Sequence, residues 1–194
     1  MEKDRVLAFS DGVIAVIITI MVLELKAPHG AEWSALIKLL PVFLSYVLSF
    51  LYIAIYWNNH HHLLAASERV SGSVLWANMH LLFWLSLIPF ATAWLGENHF
   101  SKWPTALYGV ALLAAAIAYY ILQLTIMRAQ GPDSLLRRAV GSDLKGKASP
   151  ILYASAIALA FVAPLVSNLI YVFVALVWLV PDKRIERILS EVEK

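Results

Sequence analysis

The chain has 194 residues, 61% of them hydrophobic and only 14% charged, with a mean hydropathy of +0.73. That balance belongs to integral membrane proteins and excludes an ordinary soluble domain. The chain has no cysteine, which excludes disulfides, thiolate metal sites and cysteine nucleophiles, and a net charge of +2 is too small to suggest nucleic-acid binding.

The first apolar run, 5–25, is long enough to cross a bilayer. It carries Arg5 and Asp11 near its start. Ionisable groups in such a helix are expensive and are expected to face protein or water rather than lipid. The run is too long and too charged for a signal peptide, and no small-residue cleavage site follows it. Further apolar segments lie at 35–57, 73–95, 104–127, 149–165 and 168–181. Pro41 falls in the first turns of the second, where a missing amide hydrogen costs little. Pro89 comes late in the third and predicts a kink. The last two segments form one apolar block, expected to break near Pro164, Ser167 and Asn168 into two short helices.

Residues 128–148 read as a polar connection. After Pro181, Ile185, Ile188, Leu189 and Val192 recur at helical spacing among charges, which suggests a short amphipathic helix in a tail over 182–194. No internal repeat is visible. The expected fold class is therefore an all-α integral membrane protein, with residues 1–194 forming one domain of six transmembrane helices.

Lysine and arginine set the orientation. Twelve of them, Arg5, Arg128 and Lys183 among them, fall on the side of both termini, and only Lys26, Lys38 and Lys102 on the other. The positive-inside rule then places both termini in the cytoplasm. Trp33, Trp94 and Trp103 fall at the outer interface and Trp57, Trp76 and Trp178 at the inner one, as an aromatic belt predicts. Trp84 falls mid-membrane.

Asp11 lies about two turns inside the first helix and six residues after Arg5, so the two point in different directions. Asp11 needs partners from other helices. Asn58 to His62 and then Asn78 and His80 lie at the same depth. A cluster of this kind either only locks packing or anchors one end of a pore-lining helix. Consecutive histidines such as His60, His61 and His62 point about 100° apart and cannot converge on one metal ion. His29 and His99 are expected in solvated loops.

Gly12, Val16, Thr19 and Leu23 share one stripe of the first helix, spaced 4, 3 and 4. One chain cannot enclose a pore with so narrow a stripe, but copies around a symmetry axis can. Val16 and Leu23 would then form rings that gate by dewetting, with the Thr19 oxygen between them and Glu24 at the mouth. The same periodicity also describes any packed membrane helix.

The pattern Arg5-x-x-x-Phe9-Ser10-Asp11, followed by an apolar helix with Thr19, resembles the endolysosomal potassium channel family called transmembrane protein 175. Trp57, His60, Asn78 and Pro89 fit the six-helix repeat of that family. The chain looks like its single-repeat prokaryotic form. The resemblance implies a homotetramer around a central pore lined by the first helix, in a bacterial plasma membrane, with no cofactor and potassium as the permeating ion near Val16 and Thr19. It places the constriction on Val16, with Thr19, Ile20 and Leu23 at or near the path. It makes Arg5, Phe9, Ser10, Asp11, His60 and Asn78 the network that holds the pore helix. The Thr-Val-Gly-Tyr-Gly filter of ordinary potassium channels is absent from the sequence. Val16 is smaller than the isoleucine or leucine common at that position.

Two other readings use the same polar groups. A proton-conducting channel or secondary transporter would relay protons through Asp11 and the His60 cluster. A membrane enzyme would need a nucleophile with a matched base, a metal-spaced triad or a phosphate loop. None accompanies those residues.

Overall fold

The computed structural model describes residues 3–67, 70–131 and 144–179. They form helices α1 (Lys3–Leu23), α2 (Trp33–Ile37), α3 (Leu40–Ala65), α4 (Gly72–Ser86), α5 (Ile88–Glu97), α6 (Lys102–Gln130), α7 (Leu144–Leu159) and α8 (Pro164–Leu179). The tail over 182–194 and most of the 128–148 connection lie outside the described residues.

Four stretches are long and apolar enough to cross a membrane: α1, α3, the α4–α5 pair (Gly72–Glu97) and α6. The chain is an integral, multi-pass membrane protein. With 16 residues each, α7 and α8 rise about 24 Å, short of the ~30 Å of a hydrocarbon core.

The helices depart from the sequence-derived segments in three places, each for a local reason. The expected second segment is divided: α2 stands apart, and α3 starts at Leu40 with Pro41 in its first turn. It then runs on to Ala65, so Asn58 to His62 lie inside the helix rather than at its end. Pro89 interrupts one 26-residue span, Gly72–Glu97, at the single residue Leu87, whose backbone stays right-handed helical. The α4 helix stops at Ser86, and Pro89 falls in the first turn of α5, where a residue without an amide hydrogen is tolerated. The break in the last apolar block comes earlier than Ser167 and Asn168. Pro164 opens α8, the turn falls at 160–163, and the Ser167 hydroxyl donates back to the Ala156 carbonyl at 2.7 Å.

The core lies around α6, which packs against α4, α5, α7 and α8, while α3 packs against α5 and α8. Hydroxyl groups join the helices. Thr92 donates to Ser49 at 2.7 Å, Ser49 and Tyr108 are 2.9 Å apart, and Tyr52 donates to the Tyr171 carbonyl at 2.6 Å. Where a buried hydroxyl has no water, such bonds offset its desolvation. Two glycines allow close approach. A Cβ on Gly96 would meet the Ser45 hydroxyl and the Val42 backbone, and one on Gly109 would collide with the Tyr171 hydroxyl.

On this scaffold α1 packs against α3, α4 and α5. Its buried stripe is Val6, Ser10, Ile14, Ile17 and Met21, the i, i+4, i+7 spacing of a helix with one face on a core. The opposite face of α1 is not covered by its own chain.

Candidate functional site

That uncovered face carries the stripe singled out in the sequence. Val16 is 55% exposed, Ile20 43% and Leu23 76%, and Gly12 and Thr19 are exposed as well. The Thr19 hydroxyl donates to the Val16 carbonyl at 2.9 Å. Its proton is thus used within the helix, and its oxygen lone pairs remain available outward. Beside this face runs a groove walled by Phe9, Val13 and Val16 of α1 and by Pro89, Phe90 and Ala93 of α5, with Glu24 at one end.

The other face of α1 is held by two polar grips near its N-terminus. In the first, Asn78 of α4 donates through Nδ2 to the Ser10 hydroxyl at 2.9 Å and accepts at Oδ1 from His60 Nε2 of α3 at 2.7 Å. Ser10 and His60 are fully buried and Asn78 nearly so. Three helices therefore meet through three side chains. In the second grip, Trp57 of α3 donates its indole N–H to the Asp11 carboxylate at 2.9 Å. Ser10 and Asp11 are adjacent in sequence and point about 100° apart, so one grips α4 and the other grips α3. Lys3 adds a further bond, donating to the Ala65 carbonyl at the end of α3 at 3.0 Å.

The remaining candidates lie elsewhere. Arg5 and Phe9 are exposed, and neither makes a hydrogen bond among the described residues. His80 accepts from Trp84 on its own helix at 3.0 Å, and Asn59 donates to the Ile55 carbonyl. The His61 ring lies tilted against Trp57 and edge-on to His62. No hydrogen bond joins Asp11 to His60, and no three His, Asp or Glu side chains converge, among the described residues. The sequence reading placed Trp57 in the interfacial belt and missed it as the partner of Asp11. The available signal was its position three residues before His60, about one turn away on the same helix.

This arrangement fixes α1 by one face and leaves the other face for a second molecule, for lipid or for a water-filled path. The model of the endosomal/lysosomal potassium channel family TMEM175 matches residues 5–89, a span that contains α1 from Arg5 onward and both grips. A potassium channel from Chryseobacterium sp. (strain P1-3) is 54% identical over 98% of this chain and all of its own length. The chain belongs to the TMEM175 potassium channel family. A further relative, a potassium channel from Chamaesiphon minutus, is 33% identical over 84% of this chain and 86% of its own. The crystal structure of a lysosomal potassium-selective channel TMEM175 homologue from Chamaesiphon minutus superposes with a TM-score of 0.83. It has 29% identity and covers 93% of this chain and 98% of that one. The match extends through α6, α7 and α8, so this prokaryotic TMEM175 member keeps the family fold beyond the segment that the family model covers.

Proposed function

We propose that this TMEM175 member is a potassium-permeable cation channel, built as a homotetramer around a central pore lined by α1. The observation that carries the proposal is the two-sidedness of α1. Ser10 and Asp11 fasten one face to α3 and α4. The opposite face leaves Val16, Thr19, Ile20 and Leu23 exposed, with only α5 beside it across a groove. Four such faces around an axis form a constriction of valine side chains, wider than an isoleucine ring would be, with threonine oxygens one turn further along. Potassium passes near Val16 and Thr19, and Glu24 gives the mouth a negative field. Selectivity then comes from side chains and not from a carbonyl cage. Arg5 and Phe9 lie where a neighbouring chain would cover them, which gives them a role in holding the assembled pore helix.

In this reading each chain crosses the bilayer six times. The α7 and α8 helices are the short spans, accommodated by local thinning of the bilayer. Both termini are cytoplasmic, the membrane is the bacterial plasma membrane, and the channel needs no cofactor and catalyses no reaction. Purified protein in a planar bilayer under bi-ionic potassium and sodium conditions tests the proposal. It expects a reversal potential displaced toward that of potassium. A reversal potential that follows only the proton gradient would instead favour the relay through Asp11 and His60.

A further inference from the structure

The groove between α1 and α5 is apolar apart from Glu24 and Ser86, and its volume is about 820 Å³, enough to accept several side chains at once. Two residues of its wall, Val16 and Ile20, also belong to the exposed stripe of α1. Whatever fills the groove therefore lies against the path that the stripe would line. An acyl chain in it would complete the pore wall with lipid and leave the valine ring open between copies. A closed ring needs protein there.

The two flanks of α1 differ. Seen from Gly12 and Thr19, Phe9 and Ile20 turn toward α5 and the groove. Ala15 and Val22, seven residues apart, turn the other way, to the side on which Asp11 meets Trp57 of α3. Both are exposed and neither lines the groove. On the same side α3 exposes Val47 and Phe50. A rotation axis that gathers several α1 helices around one path never sets like flanks together. It sets the groove flank of one copy against the opposite flank of the next, a heterologous contact that closes as a ring.

We infer that the groove is the socket for a second copy of this chain, filled by Ala15 and Val22 of the next α1 with Val47 and Phe50 of the next α3 behind them. This rests on the tetrameric pore proposed above and assigns the faces that meet in it. Ala15 lets the two helix backbones approach closely, and Phe50 supplies bulk. The levels agree as well. The bond from Asn78 to Ser10 sets α4 and α1 at one depth. Phe90 lies twelve residues past Asn78, and Val22 twelve past Ser10, so each stands about 18 Å further along. Within one chain α1 itself separates Val22 from the groove. Its width of about 10–12 Å exceeds the ~3.5–4.5 Å between Cβ atoms that a disulfide spans.

The test is disulfide formation in membranes holding full-length Val22→Cys/Phe90→Cys protein, whose native sequence has no thiol. Oxidation with copper phenanthroline and non-reducing electrophoresis should give a ladder of covalent dimer, trimer and tetramer. The tetramer band should be at least fivefold stronger than in either single-cysteine variant, because a chain with one thiol links to only one other. Glutaraldehyde cross-linking of the unsubstituted protein reports the tetramer separately. A glutaraldehyde tetramer without a disulfide ladder overturns the assigned faces and leaves the tetramer standing, whereas absence of both removes both. A strong dimer from Val22→Cys alone means that like flanks meet, and a disulfide within one chain means that the flanks are not separate; either result overturns the inference. Should Phe90→Cys prevent assembly, Ala93→Cys, about one turn further along the same wall, takes its place under the same criteria.

Discussion

Asn78 reaches Ser10 and His60 with opposite ends of one amide, at 2.9 and 2.7 Å. Since Oδ1 accepts from His60, the ring donates through Nε2. The other ring nitrogen, Nδ1, is buried without a partner. The amide thus bridges α1 and α3 from α4, and neither neighbour can substitute for it. Asn78→Ala leaves Ser10 and His60 both unpaired. Hydrogen bonds between membrane helices are each worth about 0.6–1.7 kcal/mol, so the variant should lose roughly 1–3 kcal/mol. Thermal unfolding of purified protein in one detergent measures it. Asn78→Asp keeps the acceptor for His60 and can accept from the Ser10 hydroxyl, but it buries a carboxylate, and should recover less than half of the loss.

The bond between Trp57 and Asp11 is charge-assisted but partly exposed, which limits its strength. Trp57→Phe keeps a ring and removes the donor, while Asp11→Ala removes the acceptor. A double-mutant cycle on unfolding should give a coupling of about 0.5–2 kcal/mol. Additive effects would mean that the contact contributes only packing. In the tetrameric reading, Asp11→Ala also lowers the tetramer fraction by size exclusion while leaving the reversal potential of the remaining channels unchanged.

Much of this was legible in the chain. The long apolar runs gave the membrane helices, and the Arg5-x-x-x-Phe9-Ser10-Asp11 pattern pointed to α1 and to the TMEM175 family. His60 and Asn78 were placed in one cluster because depth in the bilayer is set by distance along each helix. Depth does not decide which way a side chain turns. His61, His62 and His80 share that depth and yet join neither grip, and Trp57, assigned to the interface, joins one. Helix ends were hidden for a related reason. Leu63 and Leu64 continue α3 past the polar run Asn58–His62 because they are fully buried, and tertiary packing outweighs the weak helix preference of asparagine and histidine. Pro89 marks the interruption at Leu87 within the span Gly72–Glu97, while Pro164 is the first residue of the helix that follows its break.

Gly109 is required by the ring of Tyr171. A methyl group there would meet the Tyr171 hydroxyl and also Ile157 Cγ1 at 2.8 Å. Tyr171 is fully buried and donates to the Thr105 carbonyl at 3.2 Å, so it has nowhere to retreat. Gly109→Ala should cost about 1–3 kcal/mol as overpacking. Adding Tyr171→Phe removes the nearest atom, so the double variant should be more stable than the sum of the two single changes predicts. Equal or greater loss would place the strain at Ile157.

Val16 tests the constriction itself. If four valines form a dry ring, Val16→Asn replaces methyl groups with amides that hold water, and the energy barrier for a hydrated ion falls. Single-channel conductance should rise several-fold, with the tetramer fraction unchanged because Val16 makes no anchoring bond. Val16→Phe should reduce conductance in the same assay. Equal conductance in both variants would move the narrow point away from this residue.

The chain contains no cysteine, which makes the two faces of α1 directly addressable. Single cysteines can be introduced without removing native ones, and each thiol can be probed with a charged methanethiosulfonate that reacts only where water reaches it. A pore-lining stripe predicts modification at positions 12, 16, 19 and 23, accompanied by a change in current. Positions 10, 14, 17 and 21, buried against α3, α4 and α5, should resist. Lipid exposure of the same outer face predicts no reaction at either set, because a charged reagent does not enter hydrocarbon and a thiol there stays protonated. Reaction with a period of 3–4 residues centred on Val16 thus separates a central path from a perimeter helix, a distinction that neither hydrophobicity nor periodicity can make.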